Sequence, residues 1–333
     1  MKSPITGKEL MLMREMRSLS FRKEEFEVVY HYYLCVDSKQ QFEDDKLAEL
    51  NIGQVYNHYR EKHNIPFPDQ IIEIRKKYGV SARKMSEILG FGVNTYSNYE
   101  NGEIPSRANA NLILLIDKPD EFGMLANQSG LLNDKLEKII HKINLQDKIS
   151  LLENSKMDYL EKIYTRNPLS SKTGYQVFNP VKTYQTILFF AEKLSPWKTK
   201  MNKLLFMIDF SHYKNYGRSI TGLEYRAISY GPVPKDYATL FDLCCKRGYV
   251  EIVIEEVNDD FTGERLIPQG KMAFDHSLFS NSELEIINLV AEKFKKVTLS
   301  QLKEMSHEEK GWIDNYKERK LIDYRYGFDL IHA

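Results

Sequence analysis

The short polar residues Asn94, Thr95, Ser97 and Asn98 are interleaved with Val93, Tyr96 and Tyr99 at helical spacing. In a helix the two tyrosines turn inward to a core and the four polar side chains stay outward at its start. Short side chains that donate and accept hydrogen bonds suit the reading of base edges in a major groove. Arg83 and Lys84 before this set and Arg107 after it supply charge for phosphate contacts, which position a protein without reading sequence. Motifs for catalysis are absent: the chain has no phosphate-cradling glycine loop, HExxH pair, GxSxG elbow or CxxC. His307 follows Ser306 with no evident acid partner, so it reads as a structural residue rather than a base. Asp259 and Asp260 lack the spaced oxygen ligands of a calcium loop and read as solvated turn residues. The expectation is a binding protein that is not an enzyme and carries no cofactor.

Short helices with sharp stops must hold these residues. Between 69 and about 117, Gly79, Gly90 and Gly102 stand where left-handed helix caps are wanted. Residues 70–78 predict a helix with Ile71, Ile74 and Tyr78 on one face. Ser81 caps the next, with Met85, Ile88 and Leu89 inward, and Phe91-Gly92 turns into the helix of the polar set. Ahead of them, residues 1–68 read as strand-like pieces rich in Phe and Tyr, including 26–35, and a helix over 45–62. Phe21, Phe26, Tyr30, Tyr32 and Phe42 can supply a core there, and Pro66 and Pro68 punctuate its end. Beyond them, 131–163 reads as a polar helix whose Leu132, Leu136, Ile139 and Ile143 form one apolar stripe, packed on a neighbouring domain or forming a dimer. A loop over 167–179 leads into the last domain. There a helix over 201–214 ends at Gly217, a strand covers 224–230, and Gly231-Pro232-Val233-Pro234 breaks the chain before a helix over 237–246. Extended segments at 250–257 and 265–268 predict a hairpin.

A length of 333 residues accommodates more than one core. The 47 Lys and Arg balance 47 Asp and Glu, which excludes a protein that holds nucleic acid by bulk positive charge. Any DNA contact comes from a local patch. Cys35, Cys244 and Cys245 cannot build a disulfide framework, and a reducing cytoplasm is the expected compartment. The start MKSPITGKEL has no apolar run, and no stretch approaches the ~20 apolar residues of a bilayer span, so neither export nor a membrane partner is expected.

Residues 70–116 resemble the Xre-type helix-turn-helix family and, within it, the MqsA-like antitoxins. The resemblance places Asn94 and Asn98 on base-contacting positions, where an Asn pairs with the N6 and N7 edge of adenine. Arg75 and Glu100 fall on a pair that ties the first helix to the third. Ala82 departs from the pattern, standing where a phosphate-contacting Gln is common. Such antitoxins open with a zinc-binding domain of the form CPxCG followed by YYxCxxC. Here the corresponding residues are Ser3-Pro4-Ile5-Thr6-Gly7 and Tyr32-Tyr33-Leu34-Cys35-Val36-Asp37-Ser38. One of four thiolates remains, and Ser and Thr hydroxyls do not ionise near neutral pH. A relic of a zinc module without metal is implied, with Cys35 as a small buried apolar residue and His31 as the other ligand-capable group nearby.

The last domain resembles the Panacea domain over roughly 182–325. The matching residues are Lys203-Leu204-Leu205-Phe206 with Asp209, then Tyr216-Gly217, Thr221-Gly222, Tyr225 and Gly231-Pro232-Val233-Pro234, and finally Ser306-His307 with Gly311-Trp312. This domain is named in antitoxins that share one neutralising domain across unrelated toxins, so a cognate toxin is the implied partner. An exposed surface near Tyr213, Tyr216, Arg218 and Tyr225 is expected to meet it, because aromatic and Arg side chains give large contact area at small ordering cost. Burial equally explains the tyrosines. The expected architecture is mainly α, of the α+β class: a small β-containing domain over 1–68, a five-helix Xre-type domain over 69–126, a helical linker over 127–178, and a mainly helical domain with a small sheet over 179–333. The implied function is an antitoxin and repressor of its own operon, a homodimer on operator DNA. A proteolytic adaptor and a ligand-responsive transcription regulator are the alternatives, and a mostly apolar cavity lined by a few polar groups would favour the latter.

Overall fold

The computed structural model describes residues 2–152, 169–258 and 261–332. The chain divides into two compact units, Met1–Asp158 and Tyr159–Ala333. It is mainly helical with small antiparallel sheets, the α+β class expected.

In the first unit, β1 (Met11–Phe21) and β2 (Glu24–Leu34) pair in the register Phe21↔Glu24, so Arg22 and Lys23 alone make the turn. Both hold positive φ, 49° and 67°, the twist that a two-residue hairpin turn requires. Arg22 is fixed there because its guanidinium donates to the carbonyls of Ile104 at 2.7 Å and Pro105 at 3.0 Å. β3 (Gln41–Phe42) pairs with β2 only at Tyr33 and Leu34, which leaves the backbone of Val29 and His31 on an open edge. α1 (Asp45–His63) closes that edge with two buried amides. Asn51 accepts from the His31 N–H and donates to its carbonyl, both at 2.8 Å, and Gln54 does the same to Val29 at 3.0 and 2.8 Å.

Five helices follow: α2 (Pro68–Lys77), α3 (Ala82–Ile88), α4 (Thr95–Glu100), α5 (Arg107–Leu115) and α6 (Pro119–Gln128). Gly79, Gly90 and Gly102 take positive φ, as the stops require. Ile71, Ile74, Tyr78, Met85, Tyr96 and Phe122 share one core. A second core joins Phe26, Val55 and Tyr59 to Ile104 and Ala110, so the hairpin and α5 stabilise each other. α7 (Asp134–Leu152) lays Leu136, Ile140 and Ile143 on the first core, which settles the described part of the apolar stripe as a packing face. Ile139 is half-buried like Ile140, as the 3.6-residue period places both on the face of Leu136. The rest of the helix expected to 163, and the start of the loop at 167, lie outside the described residues.

The second unit is built on α8 (Pro180–Leu194) and α9 (Lys198–Tyr216). α9 buries side chains all round from Met201 to Tyr213 and stops at Gly217, φ 67°. A sheet in the order β5-β4-β8 packs beside it: β4 (Tyr225–Ile228), β5 (Gly231–Pro234) and β8 (Leu321–Ile322). Gly231 to Pro234, expected as a break, is therefore a strand paired with β4 from Ile228↔Gly231 to Tyr225↔Pro234. Its prolines are accommodated because β5 is an edge strand and needs no donor on its open side. α10 (Tyr237–Lys246) falls where expected. β6 (Val250–Asn258) and β7 (Phe261–Pro268) form the expected hairpin, whose Asp259 and Asp260 lie outside the described residues. α11 (Asn281–Phe294), α12 (Leu299–Glu308) and α13 (Lys310–Asn315) complete the unit. No helix of the described residues is long and apolar enough to cross a membrane.

Candidate functional site

The rotation of α4 about its own axis decides which residues reach outward, and the bonds of three of its residues fix it. Tyr96, fully buried, donates its hydroxyl to the Ile71 carbonyl at 2.9 Å and its N–H to Ser86 Oγ at 3.0 Å. Tyr99 Oη accepts from Asn109 Nδ2 at 2.8 Å. Arg75 grips Glu100 through Nε at 2.6 Å and Nη2 at 3.2 Å, tying α2 to α4 as a two-pronged ion pair. The opposite face of α4 carries the polar set. Asn94 and Asn98 are exposed, Thr95 and Ser97 half-buried, and Asn94 spends no side-chain bond on capping the helix. On α3, which packs against α4, Arg83 is exposed and Lys84 half-buried. Arg83 meets Glu87 at 3.3 Å, a solvent-exposed pair that a phosphate can displace. Arg107 is exposed at the start of α5.

At the other end of the hairpin, the four positions of the zinc pattern come together with one of their four thiolates, Cys35. Ser3 Oγ accepts from the N–H groups of Ile5 at 3.2 Å and Thr6 at 3.3 Å, and the Thr6 hydroxyl lies 3.4 Å from Cys35 Sγ. Cys35 is buried, as expected, but its surroundings are not apolar. Hydroxyl hydrogen bonds from Ser3, Ser38 and Thr6, in that order of weight, hold its thiol down to about 6. Three neutral hydroxyls and one thiol do not fit structural zinc, which takes ionised thiolate or neutral imidazole ligands. Among the described residues no group of three or more His, Cys, Asp or Glu side chains is arranged to hold a metal.

In the second unit the residues that carry the motifs hold the fold. Asp209, wholly buried, accepts from the N–H of Ile220 at 2.8 Å and of Thr221 at 2.9 Å, from the Thr221 hydroxyl, and from the Tyr225 hydroxyl at 2.7 Å. Burial pushes its carboxyl up against the pull of these donors. A Cβ on Gly222 would stand 2.6 Å from the Gln176 carbonyl oxygen, and one on Gly231 would stand 2.6 Å from Ser306 Oγ. Trp312 donates Nε1 to the Ile228 carbonyl at 2.8 Å and stacks on His307 at 4.0 Å. Ser306 donates to the Lys303 carbonyl at 2.8 Å, away from the His307 ring, so no nucleophile and base are paired there.

The expected exposed surface is corrected at two of its four residues. Tyr213 and Tyr225 are 1% and 0% exposed, because α9 and β4 turn them into an aromatic core with Tyr324 and Phe328. Tyr216 is exposed, and Arg218 is half-buried with Nη2 donating to the Tyr175 carbonyl at 3.2 Å. Sequence reasoning missed a cavity of about 430 Å³ between the start of α9 and β4–β5, lined among others by Asn202 and Lys203. A lysine heading the apolar run Leu204-Leu205-Phe206 was the available signal.

The fold and its surfaces define a helix-turn-helix protein with an appended α+β unit. Residues 1–124 match the family described as the antitoxin component of bacterial toxin-antitoxin systems, MqsA. Residues 201–313 match the Antitoxin SocA-like, Panacea domain family. Antitoxin MqsA of Escherichia coli (strain K12) is 30% identical over 95 residues, which are 28% of this chain and 72% of that protein. The chain belongs to the MqsA antitoxin family and carries a SocA-like Panacea domain.

Proposed function

We propose that this protein neutralises a cognate toxin by direct binding through its second unit and represses its own operon through the helix-turn-helix. It acts without catalysis, in the cytoplasm, as a homodimer whose α4 helices enter successive major grooves about one DNA turn apart. The observation that carries the DNA half is the orientation of α4, with Tyr96 and Tyr99 locked inward and Asn94 and Asn98 left exposed. Asn94 and Asn98 read bases, Thr95 and Ser97 support them, and Arg83, Lys84 and Arg107 hold phosphates. The toxin half is supported by the two antitoxin family matches, which fall on different units. Tyr216 and Arg218 remain candidates for the toxin surface; Tyr213 and Tyr225 shape it from beneath. The test is co-expression of the full chain with the neighbouring small reading frame. Co-purification of the two products and a footprint on the shared promoter are expected; the absence of both would refute the reading. A ligand-responsive regulator has one observation in its favour, the cavity in the second unit.

A further inference from the structure

That cavity is lined by a buried lysine with no counterion. Lys203 is 0% exposed, and its ammonium has one acceptor among the described residues, the Pro232 carbonyl at 3.4 Å, the far limit of a hydrogen bond. No carboxylate of the described residues pairs with it, and the neighbouring charge that acts on it, Lys303, has the same sign. Beside it Asn202, 4% exposed, has an Oδ1 with no hydrogen-bond partner. An uncompensated ammonium and an orphan amide oxygen on one cavity wall are each costly unless something supplies their partners. The remaining wall is mostly apolar, from Trp197, Ile228, Val233 and Tyr237. At the rim Lys198 is already neutralised by Glu264 at 2.9 Å, so the unmet charge is confined to the interior.

We propose that this cavity binds a small organic acid. Its carboxylate pairs with Lys203, an adjacent hydroxyl or amino group donates to Asn202 Oδ1, and an apolar or aromatic body rests against Trp197, Ile228 and Tyr237. The volume is that of a small-molecule site. Both unmet polar groups are closed to the surface, where a docking protein would present its own acidic side chains. Burial, by holding the Lys203 amine at about 7, keeps the empty site tolerable, and an arriving carboxylate favours the charged form.

The test uses the full chain with three probes: 3-phenyllactate, its amide, and 3-phenylpropanoate, which lacks the hydroxyl. Saturation-transfer NMR and calorimetry read binding. The expected order is phenyllactate first, with the amide weaker by about tenfold and the deoxy acid weaker by several-fold, the scale of one charge-assisted and one neutral hydrogen bond. Lys203→Met should abolish the preference for acid over amide, and Asn202→Leu the preference for the hydroxyl. Lys203→Gln, checked by circular dichroism, serves if the Met variant does not fold. Binding of none of the probes, equal binding of acid and amide, or an acid preference that survives loss of Lys203 overturns the proposal. Loss of toxin binding in the Lys203 variants, with no probe bound by the parent protein, would instead assign the cavity to an acidic side chain of the toxin.

Discussion

Asn98 and Tyr99 are neighbours on a helix of six residues, and which of them faces outward is decided by contacts within the core. The hydroxyl of Tyr96 on Ile71 and the grip of Arg75 on Glu100 set the rotation, and Asn94 and Asn98 are exposed as a result. Asn94→Ala and Asn98→Ala should each weaken operator binding by roughly 1–3 kcal/mol, the worth of a two-pronged base contact, and spare toxin neutralisation. Arg83→Ala should weaken binding to every sequence alike and flatten its salt dependence. Gel-shift titrations on operator and scrambled DNA at several salt concentrations separate the two patterns; equal losses on both DNAs for the Asn variants would remove them from base reading. Cys35 gives a second test at this scale. Its folded pKa of about 6 lies below the ordinary thiol value, so the folded protein should carry a thiolate from near pH 6 upward. The absorbance of the thiolate, measured as a difference from Cys35→Ser, should rise with a midpoint near 6, and a midpoint above 8 would show that the hydroxyls do not hold it. The polar face of α4 was legible because a 3.6-residue period separates it from the tyrosines. The resemblance to a zinc pattern brought Ser3, Thr6 and Ser38 to Cys35, but not the hydroxyl hydrogen bonds to its thiol, since their directions are set only by the fold.

Among the elements, α9 organises the second unit, and two of its buried polar groups show how. Asp209 collects four donors from the 220–225 stretch, and His212 bonds Arg218 and Ser282. The His212 contacts suit a neutral ring, with Nδ1 donating to the Arg218 carbonyl at 2.6 Å and Nε2 free to accept from the Ser282 hydroxyl at 3.2 Å. Burial drops its pKa to about 4. In the unfolded chain the ring takes a proton near 6.5, so acidification from there to 4 charges the unfolded state first and pulls the equilibrium toward it. The second unit should lose up to about 3 kcal/mol over that window. Urea titrations followed by tryptophan fluorescence should show the slope, and His212→Gln should abolish it; a stability independent of pH between 7 and 4 would contradict the burial of a neutral ring. Most helices were legible from their caps and glycine stops, because those signals are local. β5 was misread as a break because two prolines argue against a strand until its partner on one side alone is known. The role of Asn51 and Gln54 in closing the β2 edge was invisible for the same reason: two polar residues on α1 find the open backbone only after the hairpin exists.

At the scale of the whole molecule, a chain with balanced charge divides into two compact units, and each carries a different antitoxin family match. The motifs that made the second unit recognisable, Asp209, Thr221-Gly222, Tyr225, Gly231 and Trp312, are spent on internal hydrogen bonds and close approaches. They specify a scaffold, and under the proposed function toxin choice falls to the residues that cover it. Division of labour between the units is the central claim, and residues 169–333 expressed alone test it most directly. Co-expressed with the toxin, this fragment should restore growth and co-purify with it while leaving the promoter unoccupied. A soluble, folded fragment that neither binds the toxin nor restores growth would contradict the claim and return the first unit to a share of the toxin interface.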